Sequence, residues 1–185
     1  MSRTTELTKT YSGVFGNHVE LKSRKGKSTI TIPPTKVAPV LTEKQTAHRK
    51  KFLKAVKYAK EMMKNPDLLA LYSENLRKGK SAFALAVKDY MKSPVVEQIE
   101  VLNYQGNPGD LISVSAEDDF KLTAVSVQII DPAGEIIEQG VCAISLPTGN
   151  YDYTATELVP DLTGVTIKAK ALDLPGHAGE LAITL

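Results

Sequence analysis

At 185 residues, with 42% apolar and 24% charged side chains, the chain is long enough to bury a sizeable core and has the balance of a soluble globular protein. No window approaches the roughly 18 apolar residues of a membrane span, the first twenty residues carry no apolar run behind a basic start, and the single Cys142 excludes an internal disulfide. The net charge of +2 conceals a division: residues 1–93 hold 20 of the 23 Lys and Arg and sum to +13, whereas residues 94–185 hold 14 of the 21 acids and sum to −11. Such asymmetry assigns different roles to the two halves.

Residues 1–12 are polar and without period, which predicts a loosely held tail. A β-hairpin follows, in which residues 18–22 and 28–32 alternate and place Val19 and Leu21 on one face with Ile30 and Ile32. Residues 23–27 supply its turn, and Pro33-Pro34 stops the second strand because neither proline donates to a ladder. An isolated hairpin is marginal in water, so this one needs something to pack on. Gly26-Lys27-Ser28 ends like a phosphate-binding loop, but the glycine required five residues earlier is Leu21, and a strand follows where a helix should open. The motif is rejected.

After a linker over 35–41, residues 42–64 read TEKQTAHRKKFLKAVKYAKEMMK, one amphipathic helix behind a Thr42/Gln45 capping box. At 3.6 residues per turn, Phe52, Ala55, Val56, Ala59, Met62 and Met63 share one face, and Lys50, Lys54, Lys57, Lys60 and Lys64 share the other. Asn65-Pro66 ends this helix and starts a second, with Leu68, Leu69, Leu71, Tyr72 and Leu76 apolar, running to about Lys78 before Gly79. Ser81 caps a third helix in which Phe83, Ala86, Val87 and Tyr90 recur at helical spacing, closed by Ser93-Pro94. Three helices with short connections predict a small antiparallel bundle.

From Val95 the period becomes two. Seven strands are predicted, over 96–104, 111–116, 124–131, 135–146 (broken near Gly140), 151–156, 165–172 and 180–185, separated by turns rich in Gly, Pro, Asn and Asp. Short strands at this spacing predict a β-sandwich whose inward positions include Ile112, Val114, Ala116, Val125, Val127, Ile129, Val165, Ile167, Ala169 and Ala171. Cys142 reads as a small buried hydrophobe within Val141-Cys-Ala-Ile-Ser-Leu146.

Residues 110–129, DLISVSAEDDFKLTAVSVQI, resemble the B and C strands of bacterial immunoglobulin-like domains, and residues 164–176, GVTIKAKALDLPG, resemble their F strand and the start of the F–G turn. That family often places Asn after the last glycine, where this chain has His177, and the chain lacks the cysteine pair and core tryptophan of antibody domains. The resemblance implies a fold and no activity, since such sandwiches serve as adhesive modules, spacers, enzyme appendages and virion decorations. The first half resembles uncharacterised short bacterial proteins with a Gly-Asn, Gly-Lys hairpin before a basic helix, and no activity comes with that likeness.

The fold class is therefore α+β: an N-terminal β-hairpin with a small helical bundle (1–93, basic), then an immunoglobulin-like antiparallel β-sandwich (94–185, acidic). His18, His48 and His177 lie on three elements, none at metal-ligand spacing, and no nucleophile elbow, glycine fingerprint or metalloprotease helix occurs. The expectation is no catalytic residue, no metal, no cofactor, no small-molecule substrate and no membrane. The carboxylates Glu117, Asp118, Asp119, Asp131, Asp152 and Asp173 fall in loops or at strand ends and read as caps for local amides before they read as a calcium site. The candidate contact residues are Arg49, Lys50, Lys51, Lys54, Lys57 and Lys64. Such a stripe is most often simply solvated. As a binding surface it suits an acidic protein, including the second half of this chain or of another copy, ahead of nucleic acid, because few base-reading side chains lie among the lysines. The setting expected is the cytoplasm, or a phage or phage-like particle.

Overall fold

The structure, a computed structural model, describes residues 13–16, 18–24, 27–33, 41–76 and 79–185. The expected tail, most of the linker and the centre of the hairpin turn lie outside the described residues. Two compact units emerge, Met1–Thr42 and Glu43–Leu185.

The first unit contains a three-stranded antiparallel sheet, β1 (Gly13–Phe15), β2 (Val19–Arg24) and β3 (Lys27–Thr31), in that order. The expected hairpin is β2–β3, with Leu21 opposite Ile30, and β1 adds a strand through Phe15 opposite Val19. Directly opposed residues share a face of an antiparallel sheet. Phe15, Val19 and Ile30 thus lie on one side, and all three are exposed.

The second unit begins with three helices, α1 (Glu43–Met62), α2 (Pro66–Glu74) and α3 (Ala82–Met91). Their starts follow the sequence closely. Asn65 Oδ1 accepts the amides of Asp67 and Leu68 at 2.9 and 3.3 Å with Pro66 in the first turn, and Ser81 Oγ accepts that of Ala84 at 3.3 Å. The helix α2 stops at Glu74, earlier than expected, and Arg77 and Lys78 lie outside the described residues. The helices meet through small residues: Ala55 and Ala59 of α1 and Ala86 of α3 are fully buried, which lets the backbones approach closely.

Two expected core positions differ. Phe52 is 46% exposed, although Ala55 and Ala59 of the same expected face are fully buried. Phe83 lies at the edge of exposure, and the buried stripe of α3 is Ala82, Ala86 and Asp89, at i, i+4 and i+7.

The rest is a β-sandwich. One sheet runs β4–β5–β9–β8 (Val95–Glu100, Leu111–Glu117, Tyr151–Thr154, Ala143–Ile144). The other runs β11–β10–β6–β7 (Ala178–Thr184, Thr166–Asp173, Leu122–Ile130, Ile136–Val141), and every pairing is antiparallel. With β4 as strand A, these are the orders A-B-E-D and G-F-C-C′ of an immunoglobulin-like sandwich. The expected fourth strand is two short ones, β7 and β8, that belong to opposite sheets, and the chain crosses at Cys142 rather than at Gly140.

Alternation does the packing. In β10, Ile167, Ala169 and Ala171 point inward and are fully buried, while Lys168 and Lys170 point out and meet Glu180 of β11 at 2.7 and 3.8 Å. Ile112, Val114, Val125, Val127, Ile129 and Val165 complete the interior, and Ala116 packs at its margin. Gly106 holds a loop against the end of the sandwich. Its φ is +84°, and a Cβ there would lie 2.2 Å from the Val159 carbonyl, so no other residue fits.

The charge division places a boundary at Ser93/Pro94, but the chain divides at Thr42/Glu43. The physical reason is apolar. The helical core of Ala59, Tyr72, Ala82 and Ala86 is completed by Phe120 from the β5–β6 loop and Leu174 from the β10–β11 turn. The bundle borrows sandwich side chains to bury its own.

Candidate functional site

The cationic side of α1 stands in solvent. Arg49, Lys50, Lys54, Lys57, Lys60 and Lys64 are exposed, and Lys51 is half-buried. From Lys50 to Lys60 the row covers about 15 Å at the helical rise per residue. Lys64 bonds Glu61 at 2.9 Å, an exposed i,i+3 pair worth little. Among the described residues, Arg49, Lys50, Lys51, Lys54 and Lys57 form no ion pair.

Contact between the basic helices and the acidic sandwich does occur, through a different helix. Lys88 and Lys92 of α3 both reach Asp119 in the β5–β6 loop, at 3.0 and 2.8 Å. Their bonds, Lys92 foremost, hold the Asp119 carboxyl below the usual carboxylate range. Two open hollows flank this carboxylate. One of 230 Å³ is walled by Leu76, Leu85 and Phe120 with Lys80 and Lys88 at its rim; the other, of 170 Å³, is edged by Glu97, Glu117 and Lys92.

Behind the salt bridges lies a buried polar cluster that sequence reasoning missed. Asp89 is 1% exposed and its Oδ2 accepts the Tyr72 hydroxyl at 2.6 Å. A phenol has one proton to give, so Tyr58, 3.1 Å from Tyr72 Oη, donates to it. Tyr72 stacks on Phe120 with ring centroids 4.5 Å apart. Tyr58 packs on Tyr90, which meets the His177 ring edge-on at 4.6 Å. His177 Nδ1 faces Asp173 Oδ2 at 3.0 Å, and its amide bonds the other oxygen of the same fully buried side chain. Burial pushes Asp89 up to about 6, the Asp118 and Asp173 charges add to the rise, and the Tyr72 bond and His177 oppose it. The Tyr72 hydroxyl is held protonated far above its ordinary range, by burial first and then by its bonds to Asp89 and Tyr58.

A third buried carboxylate, Glu138 in β7, lies within the sandwich core. Its Oε2 accepts the Tyr153 hydroxyl at 3.1 Å and the Thr156 amide and hydroxyl at 2.9 and 2.8 Å. Burial and Glu138 together push the Tyr153 hydroxyl up to about 12. Cys142 is buried as expected, and burial pushes its thiol up to about 12.

Of the loop carboxylates, Asp118, Asp131 and Asp173 bond local amides. Asp118 Oδ2 accepts the amides of Phe120 and Lys121, and Asp131 Oδ1 those of Ala133 and Glu135. Asp152 accepts the Ser113 hydroxyl at 2.7 Å. Among the described residues no group of three or more His, Cys, Asp or Glu is placed to hold a metal ion, and no helix is long and apolar enough to cross a membrane. A sequence signal for Asp89 existed, since it falls on the Ala82–Ala86 stripe. Nothing in the sequence connects it to Tyr72 or to the β5–β6 loop.

No protein-family model matches the sequence, and no curated protein is similar to it in sequence. Among solved structures, CopC from Methylosinus trichosporium OB3b is similar over 49% of this chain and 88% of its own, at 16% identity and a TM-score of 0.35. A conjugative transposon lipoprotein from Bacteroides eggerthii is similar over 49% of this chain and 92% of its own, at 10% identity and a TM-score of 0.27. A β-glucuronidase from Bifidobacterium dentium is similar over 50% of this chain and 17% of its own, at 14% identity and a TM-score of 0.26. At these values no ligand or activity transfers from any of them.

Proposed function

We propose that the chain is a non-enzymatic interaction module, a sandwich of the bacterial immunoglobulin-like kind fused to a helical bundle that presents a cationic row to an anionic protein surface. One observation carries this reading. Arg49, Lys50, Lys54 and Lys57 are exposed on one rigid helix and have no carboxylate partner among the described residues, although the sandwich beside them is strongly acidic. The cations that do meet that sandwich, Lys88 and Lys92, sit on another helix. On this reading a second molecule completes the row, and the acidic half of another copy supplies complementary charge. A contact of that sort is head-to-tail and closes as a ring or extends as a filament. Against catalysis stands the position of the strongly perturbed groups Asp89, Tyr72 and Cys142, which are buried in packed interiors instead of facing an open hollow.

Light scattering against concentration tests the reading at about 50 mM and about 500 mM salt, where charge contacts are respectively long-ranged and screened. Mass that grows with concentration at low salt, falls at high salt and is lost in a Lys50→Glu/Lys54→Glu/Lys57→Glu variant is the expected result. A monomer at every condition removes self-association. Fluorescence anisotropy with labelled DNA and RNA separates the other use of the row: salt-dependent binding that the same variant abolishes replaces the protein partner with nucleic acid.

A further inference from the structure

Most carboxylates of the sandwich are already committed. Asp119 holds Lys88 and Lys92, and Glu180 holds Lys168 and Lys170. Asp110, Asp118, Asp131 and Asp161 take loop amides, and Glu138 and Asp173 are buried. Two of the rest stand on one sheet face. Glu100 of β4 is opposite Ser113 of β5, and Ser113 is opposite Asp152 of β9, so the three side chains form a row across the strands. The row points outward, because Ile112, Val114 and Tyr153 of the same strands are buried. At about 4.8 Å per strand, the two acidic residues lie about 10 Å apart at the backbone. Asp152 takes the Ser113 hydroxyl and Glu100 the Gln98 side-chain amide. Neither forms an ion pair among the described residues. The row lines an open hollow of 290 Å³, whose wall includes Leu111 and the 89% exposed Leu102.

The α1 row has a matching spacing. Lys50 and Lys57 are seven residues apart, about 10.5 Å along the helix and about 20° round it. Leu53 lies between them along the axis and is 67% exposed. The strip and the hollow therefore agree in spacing, oppose each other in charge and each carry exposed leucine. We propose that this outer face of β4, β5 and β9 receives α1 of a second copy, with Lys50 and Lys57 set against Glu100 and Asp152 and Leu53 seated on Leu102 and Leu111. It rests on the reading of the α1 row as an assembly surface, and it names what that surface meets. Strip and face are different surfaces of one chain, so each copy offers one of each and the contact is heterologous.

Sedimentation velocity on the full chain at about 50 mM salt tests the pairing with substitutions that remove charge and add none. Glu100→Gln/Asp152→Asn keeps an acceptor for Ser113 and is expected to weaken assembly about tenfold or more, as Lys50→Gln/Lys57→Gln does. Mixed in equal amounts, the two variants are expected to form a dimer and nothing larger, since one brings an intact helix and the other an intact face. A Glu100→Gln/Asp152→Asn variant that assembles like the wild type, while Lys50→Gln/Lys57→Gln does not, overturns this face and leaves the α1 row bound elsewhere. A wild type that stays monomeric overturns both the face and self-association through the row. If the face variant fails to fold, carbodiimide cross-linking of wild-type chains decides, with half of them isotopically labelled. Lys50 or Lys57 joined to Glu100 or Asp152 of the differently labelled chain is the expected product, and its absence overturns the face.

Discussion

Tyr72 joins three parts of the second unit: its ring stacks on Phe120 of the sandwich, its hydroxyl donates to Asp89 of α3, and it accepts from Tyr58 of α1. Tyr72→Phe keeps the stack and removes the donor, leaving a buried carboxylate oxygen unpaired. The expected loss is about 1–3 kcal/mol in urea unfolding, and a loss under a few tenths would show that water replaces the hydroxyl. Asp89 then fixes a pH window. Its carboxyl is raised from 3.8 to about 6, so burying the ionised form opposes folding. That opposition is absent below about 4, grows between about 4 and 6, and is complete above, at up to about 3 kcal/mol. Asp119 works with the opposite sign. Its carboxyl is lowered by Lys92 and Lys88, so its contribution is present above the ordinary carboxylate value and fades as pH falls below it. The two windows are therefore distinct, and a stability maximum in mild acid follows. Cys142 gives a simpler test. With its thiol buried and pushed up to about 12, alkylation at pH 7.5 is expected to be at least a hundredfold slower in the native protein than in urea. Equal rates would mean that the Cys142 crossing opens readily.

Among the elements, helix starts and strand alternation were legible and helix faces were less so. Asn65, Pro66 and Ser81 announce α2 and α3 because capping is settled within four residues. The inward positions of β5, β6 and β10 follow from a period of two that tertiary contacts cannot shift without exposing every apolar residue. The face of α3 was misplaced by about one position, at Phe83, because alanine carries little apolar signal yet permits the closest approach of two helices, whereas on α1 the expected face holds at Ala55 and Ala59 and Phe52 alone stands out of it. Where β11 passes the end of the bundle, Gly179 lies against the chain at Pro94. A Cβ there would sit 2.1 Å from the Pro94 carbonyl, so backbone has to move. Gly179→Ala is expected to cost about 1–3 kcal/mol and to perturb β4 and β11 together in hydrogen exchange. Full stability in that variant would mean that the approach of the two segments is looser than drawn.

Over the whole molecule, charge and packing divide the chain differently. The count of +13 against −11 describes surfaces, and surface charge governs association and solubility more than fold. Packing joins the helices to the sandwich because the bundle's interior is completed by Phe120 and Leu174, residues 46 and 100 positions beyond the end of α2 in the sequence. The same arrangement commits Lys88 and Lys92 to Asp119 and leaves the α1 row to solvent. If that row serves assembly, the salt dependence described above resides in α1 alone, and a Lys88→Ala/Lys92→Ala variant keeps it. Of the candidate contact residues, Lys50, Lys54, Lys57 and Lys64 were legible as exposed from period alone; of the two beside them, Arg49 is exposed and Lys51 half-buried.

By itself the sequence determined the class of fold, the strands that alternate, the helix starts and the cationic face of α1, since each depends on residues within a few positions of one another. Only the tertiary structure decided that the compact units part at Thr42, that β7 and β8 belong to opposite sheets, and that Asp89 is buried beside Tyr72 within reach of the Asp118 charge. Those features join residues from 17 to 84 positions apart, such as Tyr72 with Asp89 and Asp89 with Asp173, and no local pattern encodes which distant side chain will fill a given gap.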